Sequence, residues 1–244
     1  IANNNNGGGQ AAPAGAVVAS ASASDSTLTG GGYVKFLSIA ADSWSASPGA
    51  GAPSGRLGHG SAWIGSGMAI WGGGLGSGTY FGTGGIYNPS TDSWAAITPL
   101  DAPASRSGHS AVWTGSDFIV WGGYGAVGTL NNGGRYQVST QSWLPLADTG
   151  APAARYANAA IWTGARMLVW GGRNNTGILN DGALYDPASD SWSALGLNSV
   201  PGARYSAAYV LAGDTVLVWG GQGATGALGD GASLALTSGV PSAW

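Results

Sequence analysis

Short apolar runs separated by polar turns divide most of the chain. In "HSAVWTG" and "DFIVWGG", which lie within residues 109–123, two runs rich in β-branched and aromatic residues flank a tight polar turn, a pattern typical of a β-hairpin. "GGIYNPSTDSWAAI", residues 84–97, predicts a second pair of strands around the turn "NPSTD". The Gly- and Asn-rich segments between the pairs vary and predict loops. Each unit therefore predicts four short strands and one variable loop.

This unit recurs along the chain with a nearly constant period. One column holds four arginines separated by 50, 49 and 49 residues, namely Arg56, Arg106, Arg155 and Arg204. Three further columns, "WGG", "SW" with its continuation at Trp244, and the first-strand tryptophan, together contain all 12 tryptophans. Four strands in each of several consecutive units are typical of a β-propeller, in which every blade buries its faces against its neighbours.

The same columns carry a resemblance to a known family. The order Arg, apolar strand, "WGG", "YNP" or "YDP", then "DSW" resembles the kelch repeat in its bacterial form, and the match runs from residue 53 to about residue 234. The resemblance implies an all-β, kelch-like β-propeller of four-stranded antiparallel blades, with four clear repeats and a degenerate fifth at the N-terminus.

The repeat period also predicts the domain organisation. Residues 1–14 form a flexible low-complexity N-terminal segment, and residues 15–244 form the propeller. The predicted blades are 15–50, 51–100, 101–149, 150–198 and 199–244, of which the first is the degenerate copy. Three outcomes stay open: a closed five-bladed ring, part of a longer propeller, or several chains that complete a ring or filament together.

Composition narrows the classes of partner. Charged residues make up only 8% of the chain and the net charge is -3, so nucleic acid and anionic membrane surfaces are disfavoured. The absence of cysteine excludes disulfides, thiolate metal sites and cysteine nucleophiles. No apolar run is long enough to span a membrane. Low charge together with abundant Gly, Ser and Asn favours a secreted or cell-surface protein.

The arginine column is the first candidate for ligand binding. The kelch resemblance implies that Arg56, Arg106, Arg155 and Arg204 lie at one mouth of the central channel, where guanidinium groups would bind carboxylate or sulfate. The structural alternative is that each arginine donates to loop carbonyls and stacks on a neighbouring aromatic ring, which ties the blades together.

Three smaller sets complete the candidate site. His59 and His109 share one column, but the spacing supplies no third metal ligand, so no metal site is predicted. Asn132, Asp181 and Asp230 precede glycine and would either hold calcium or cap a turn, and the predicted site includes Asn132 and Asp181. Tyr80 and Tyr124 lie in variable loops, where their rings would stack on a sugar.

These features predict a binding module without catalysis and without a cofactor. The expected ligand is an acidic or polar protein or glycan, held at the loop-lined mouth of the propeller. One alternative is a structural subunit that assembles through blade edges into a ring, lattice or filament. A second is a kelch-type enzyme acting on carbohydrate, although the cofactor of galactose oxidase, a kelch enzyme, needs a cysteine that this chain lacks.

Overall fold

A computed structural model of the chain describes residues 46–196 and 201–243. The predicted N-terminal segment and nearly all of the degenerate first blade lie outside these residues. The part of the chain from Pro48 onward contains four four-stranded antiparallel sheets. Within the described ranges no α-helix is present, and so no helix there is long and apolar enough to cross a membrane.

Each sheet corresponds to one repeat and is built from hairpins in chain order. Sheet one consists of β1 (Gly60–Trp63), β2 (Met68–Trp71), β3 (Gly84–Asn88) and β4 (Ser93–Ile97). Sheet two and its side hairpin consist of β5 (Ser110–Trp113), β6 (Asp117–Trp121), β7 (Tyr124–Gly125), β8 (Gly128–Thr129), β9 (Gly133–Gln137) and β10 (Ser142–Pro145). Sheet three and its side hairpin consist of β11 (Ala159–Trp162), β12 (Met167–Trp170), β13 (Arg173–Asn174), β14 (Gly177–Ile178), β15 (Gly182–Asp186) and β16 (Ser191–Ala194). Sheet four and its side hairpin consist of β17 (Ala208–Ala212), β18 (Thr215–Trp219), β19 (Gln222–Gly223), β20 (Gly226–Ala227), β21 (Gly231–Thr237) and β22 (Val240–Ala243).

The side hairpins differ from the sequence prediction, which assigned these segments to loops. The pairs β7–β8, β13–β14 and β19–β20 each form a separate two-stranded antiparallel sheet. Their turns end at Gly128, Gly177 and Gly226, whose φ angles of 105°, 150° and 132° suit glycine. Two-residue strands are too short to produce an apolar alternation that sequence reading detects.

The first strands of successive sheets contact one another, so β1, β5, β11 and β17 form the inner edge of the array. Backbone hydrogen bonds join the segments just before these strands. The amide of Gly108 donates to the Gly58 carbonyl (2.8 Å), Ala157 donates to Gly108 (3.0 Å), and Ser206 donates to Ala157 (2.9 Å). Successive four-stranded antiparallel sheets that contact one another at their first strands are typical of a β-propeller, and the all-β fold prediction is confirmed.

A hydrophobic core lies between each pair of successive sheets. We call the side of a sheet that faces the next sheet in chain order its trailing face, and the opposite side its leading face. The trailing face of sheet three contributes Ile161, Leu168 and Trp170, which pack against Val216 and Val218 on the leading face of sheet four. Equivalent cores join sheets one and two and sheets two and three. Side chains packed from two sheets explain why the second strands β6 and β12 are buried on both faces.

The glycine pair after each second strand allows the backbones of two sheets to meet. A Cβ at Gly122 would lie 2.8 Å from the carbonyl oxygen of Arg155 in the next sheet, and its φ of 71° also disfavours other residues. The amide of Gly123 donates to that same carbonyl (2.8 Å). Lack of room beside the next blade therefore requires glycine at this position.

Candidate functional site

Three of the four column arginines are buried in the structure. Arg106, Arg155 and Arg204 are 0%, 0% and 1% exposed. In Arg155, Nε donates to the carbonyl of Ala153 (2.8 Å), and Nη1 donates to the carbonyls of Gly171 (3.1 Å) and Asp181 (3.0 Å). Arg106 and Arg204 repeat the same three bonds with the carbonyls of Ala104, Gly122 and Asn132, and of Gly202, Gly220 and Asp230.

The residues before glycine act as partners of these arginines. The side-chain oxygens of Asn132 and Asp181 accept from Nη2 of Arg106 (2.9 Å) and Arg155 (3.0 Å). Asp230 pairs with Arg204 through a different nitrogen, since its Oδ1 lies 3.0 Å from Nη1. Burial lowers the pKa of Arg106 to about 10, so this guanidinium keeps its charge at neutral pH.

Arg56 differs from the other three arginines because it is only partly buried. It donates to the carbonyls of Ser54, Gly72 and Thr83, and its Cζ lies 4.8 Å from the centre of the Phe81 ring. These contacts have the geometry of the structural alternative for the column. Ligand binding by the arginines stays a prediction, and the candidate site is not built on them.

His109 takes part in the contact between sheets one and two. Nε2 of His109 accepts a hydrogen bond from the amide of Gly60 (3.2 Å), and its ring meets the edge of Trp71 at 5.5 Å between centroids. Burial, with a smaller effect of the Arg106 charge, lowers the pKa of His109 to about 3, so the ring is neutral. Burial also lowers the pKa of His59. Among the described residues, no three His, Cys, Asp or Glu side chains cluster in a way that would hold a metal ion.

A row of aromatic rings crosses four sheets at the end where the first strands begin. We call it the aromatic belt and define it as Tyr80, Tyr124, Tyr156, Arg173 and Tyr205. The ring centroids of Tyr80 and Tyr124 lie 6.1 Å apart, and those of Tyr124 and Tyr156 lie 5.7 Å apart with edge-to-face geometry. Cζ of Arg173 then lies 5.7 Å from the Tyr156 ring and 4.9 Å from the Tyr205 ring. The belt is therefore a continuous series of ring and guanidinium contacts.

Short backbone bridges hold the belt in place. Tyr156 and Arg173 exchange two main-chain hydrogen bonds of 3.0 Å each, and Tyr205 pairs in the same way with Gln222. Tyr124 is bonded to Ser107 by the equivalent bridge. Because each bridge joins the residue after a column arginine to the residue after a glycine pair, the rigid repeat fixes the position of the variable side chains.

Arg173 is the basic side chain of the belt, and no carboxylate among the described residues forms an ion pair with it. The four ion pairs in the described part of the chain do not include it, and its Nε atom is buried without a hydrogen-bond partner. Tyr124 is 37% exposed, and the neighbouring Leu57 is 68% exposed. The belt thus offers aromatic area and a cation at one surface.

Sequence reasoning found two members of the belt and missed three. The rings of Tyr80 and Tyr124 were predicted to stack on a sugar, whereas Tyr156, Arg173 and Tyr205 were not considered. Two of the missed residues directly follow column arginines in "RY" dipeptides, and Arg173 directly follows a glycine pair. A variable residue beside a fixed repeat position was the available indication, but the pairing across each bridge was not visible in the sequence.

Comparison with known proteins agrees with this architecture. The family model described as the KLHDC2/KLHL20/DRC7 Kelch-repeats domain matches residues 24–221, well over half of the chain. A search of curated proteins gave no match. The matched range includes all four column arginines and the whole aromatic belt. The chain therefore belongs to the kelch-repeat family, whose domains are β-propeller modules for protein interaction and generally act without catalysis.

Proposed function

We propose that the aromatic belt is the surface through which this module binds its partner, and that the partner is a protein segment carrying an acidic side chain. The observation that carries the proposal is the Arg173 guanidinium, which lies between the rings of Tyr156 and Tyr205 without a carboxylate partner in the described structure.

The chemistry of the belt favours a polypeptide. Tyrosine and arginine are the residues that most often dominate the binding energy of protein interfaces. A carboxylate that reached Arg173 would form a charge-assisted hydrogen bond with a guanidinium already oriented by two rings. The tyrosines therefore supply apolar contact area, and Arg173 fixes the orientation of the bound carboxylate.

A glycan is the competing ligand class. Sugars stack on the open flat face of an aromatic ring, whereas Tyr124 and Tyr156 meet edge to face with planes 75° apart. Arg173 lies over both Tyr156 and Tyr205. These contacts occupy ring surface that a sugar would need, so the geometry supports a protein ligand over a glycan.

The experiment selects ligands without assuming their identity. A random peptide library displayed on phage is selected on the immobilised full chain, and recovered peptides are tested in solution by fluorescence anisotropy. We expect the peptides to be enriched in Asp or Glu. Binding should weaken at least tenfold in Arg173→Ala and in Tyr124→Ala, because each variant removes one component of the belt.

Arg166→Ala is the matched control, because Arg166 already pairs with Asp186 at 3.4 Å and lies outside the belt. It should bind like the unmodified chain. Equal affinity of Arg173→Ala and the unmodified chain would refute the proposal. Sugar binding on a glycan array that both belt variants abolish would instead assign the surface to glycans.

A further inference from the structure

The trailing face of sheet four is bare. Along β18, Val216 and Val218 on the leading face are 0% and 3% exposed, whereas Leu217 and Trp219 on the trailing face are 41% and 62% exposed. One repeat earlier, the counterpart of Trp219 is Trp170, which is 2% exposed under sheet four. Trp219 and Trp170 occupy the same column of the repeat, so a missing neighbour accounts for the difference.

The bare face has the composition of an interface. Val210, Leu217 and Ser233 lie opposite one another on three paired strands, in the register that Ile161 and Leu168 occupy in sheet three. Val210, Leu217 and Ser233, the described residues paired across this face, carry no charge. Val210 is 43% exposed, and together with Trp219 it leaves a continuous apolar surface in water.

The leading face of sheet one, which would form the other half of such a contact, is also partly exposed. Met68 is 39% exposed, whereas Phe118 at the same position in sheet two is fully buried. The indole N–H groups of Trp143 and Trp192 donate to carbonyls of the preceding sheet at 2.9 Å. The equivalent N–H of Trp94 is buried and has no hydrogen-bond partner among the described residues.

A backbone donor on the trailing side also lacks its acceptor. The second glycine of each earlier pair donates to the arginine carbonyl of the following sheet, as Gly172 does to Arg204 at 2.8 Å. No acceptor within the described residues meets the amide of Gly221. Arg56 is the residue of sheet one whose carbonyl corresponds to that acceptor in the repeat.

We propose that sheet four of one copy packs on sheet one of a second copy, in a head-to-tail contact that repeats the internal contact between sheets. Within the described residues this contact occurs three times, and its two halves are exposed at Met68 and Trp219, on the first and last of the four described sheets. Because the two halves differ, the contact is heterologous, and successive copies build either a closed ring or a filament. The proposal is independent of ligand binding at the aromatic belt.

The test measures the mass of the full chain in solution and uses two variants that block opposite faces. The unmodified chain should form multiples of its 24.0 kDa mass in native mass spectrometry and sedimentation velocity, increasingly so at higher concentration. Trp219→Asp and Met68→Asp should each remain at the mass of one chain, because a charge is then placed in one half of the contact. Val127→Asp is the control, since Val127 is 89% exposed in a side hairpin away from both faces, and it should assemble normally.

Mixing the two blocked variants distinguishes this head-to-tail contact from a symmetric contact in which both copies use the same face. Trp219→Asp keeps an intact sheet one and Met68→Asp keeps an intact sheet four, so an equimolar mixture should form a dimer that stops at two chains. The proposal is overturned if the unmodified chain is monomeric throughout a 100-fold dilution series that starts at about 10⁻⁴ M. It is also overturned if either variant assembles alone, or if the mixture stays monomeric.

Discussion

Replacing Arg155 by methionine tests the internal role of the arginine column. Methionine retains most of the apolar stem, so the substitution chiefly removes the guanidinium and its charge. Three carbonyls, those of Ala153, Gly171 and Asp181, then lose the arginine as a donor, and the Asp181 carboxylate loses its ion pair. The Asp181 carbonyl keeps the hydrogen bond from the amide of Gly171 (3.0 Å).

The magnitude follows from the burial of each acceptor. The hydrogen bond to Gly171 is buried, and a stranded buried carbonyl costs about 1–3 kcal/mol. The two partly buried carbonyl bonds contribute about 1 kcal/mol each. The Asp181 side chain is 58% exposed, so water replaces the ion pair at a cost of about 0–1 kcal/mol. We expect Arg155→Met to lower the free energy of unfolding by about 3–6 kcal/mol.

Arg56→Met is the internal control because Arg56 makes the corresponding carbonyl bonds near solvent. Its bonds to Ser54 and Thr83 are exposed, and the bond to Gly72 is only partly buried. Water substitutes for the lost donors there, and the expected loss is about 1–2 kcal/mol. Urea unfolding followed by tryptophan fluorescence and circular dichroism measures both variants. Equal losses in the two variants, or a loss below about 1 kcal/mol in Arg155→Met, would refute the burial argument.

Three further predictions test the packing and the pH response. Trp170→Ala should lower the free energy of unfolding by about 3–5 kcal/mol, whereas Trp219→Ala in the dilute monomer should lower it by less than about 1 kcal/mol. The reason is that Trp170 is 2% exposed and Trp219 is 62% exposed, and urea unfolding measures both variants. Gly122→Ala should cost at least about 2 kcal/mol, since a Cβ there meets a carbonyl at 2.8 Å with φ at 71°, and Gly202→Ala, with open space around its Cβ, should change the melting temperature little. Burial lowers the pKa of His109 from 6.5 to about 3, so stability is full above pH 6.5 and falls below it by about 1.4 kcal/mol per pH unit; thermal unfolding between pH 7 and pH 5 should show a shallower slope in His109→Gln.

Much of the fold was predictable because the same packing residues recur at the same positions of every repeat. Each "WGG" places a tryptophan in a core and a glycine pair beside the next backbone, and the strands fall where the apolar runs predict them. The candidate site was less predictable. Tyr156 and Arg173 meet only because a two-residue bridge joins segments 17 positions apart, and short-range patterns do not encode such a pairing.

The sequence alone determined the four main strands of each unit, the period of the blades and the residues that recur in every blade, because these depend on local alternation and on a repeated column. Tertiary structure alone decided the environment of each column member. Arg155 is buried while Arg56 is half-buried, and Trp170 lies in a core while Trp219 faces water, although each pair is identical in the repeat. The physical reason is that burial depends on which neighbouring sheet is present, and a residue's own column carries no information about its neighbour.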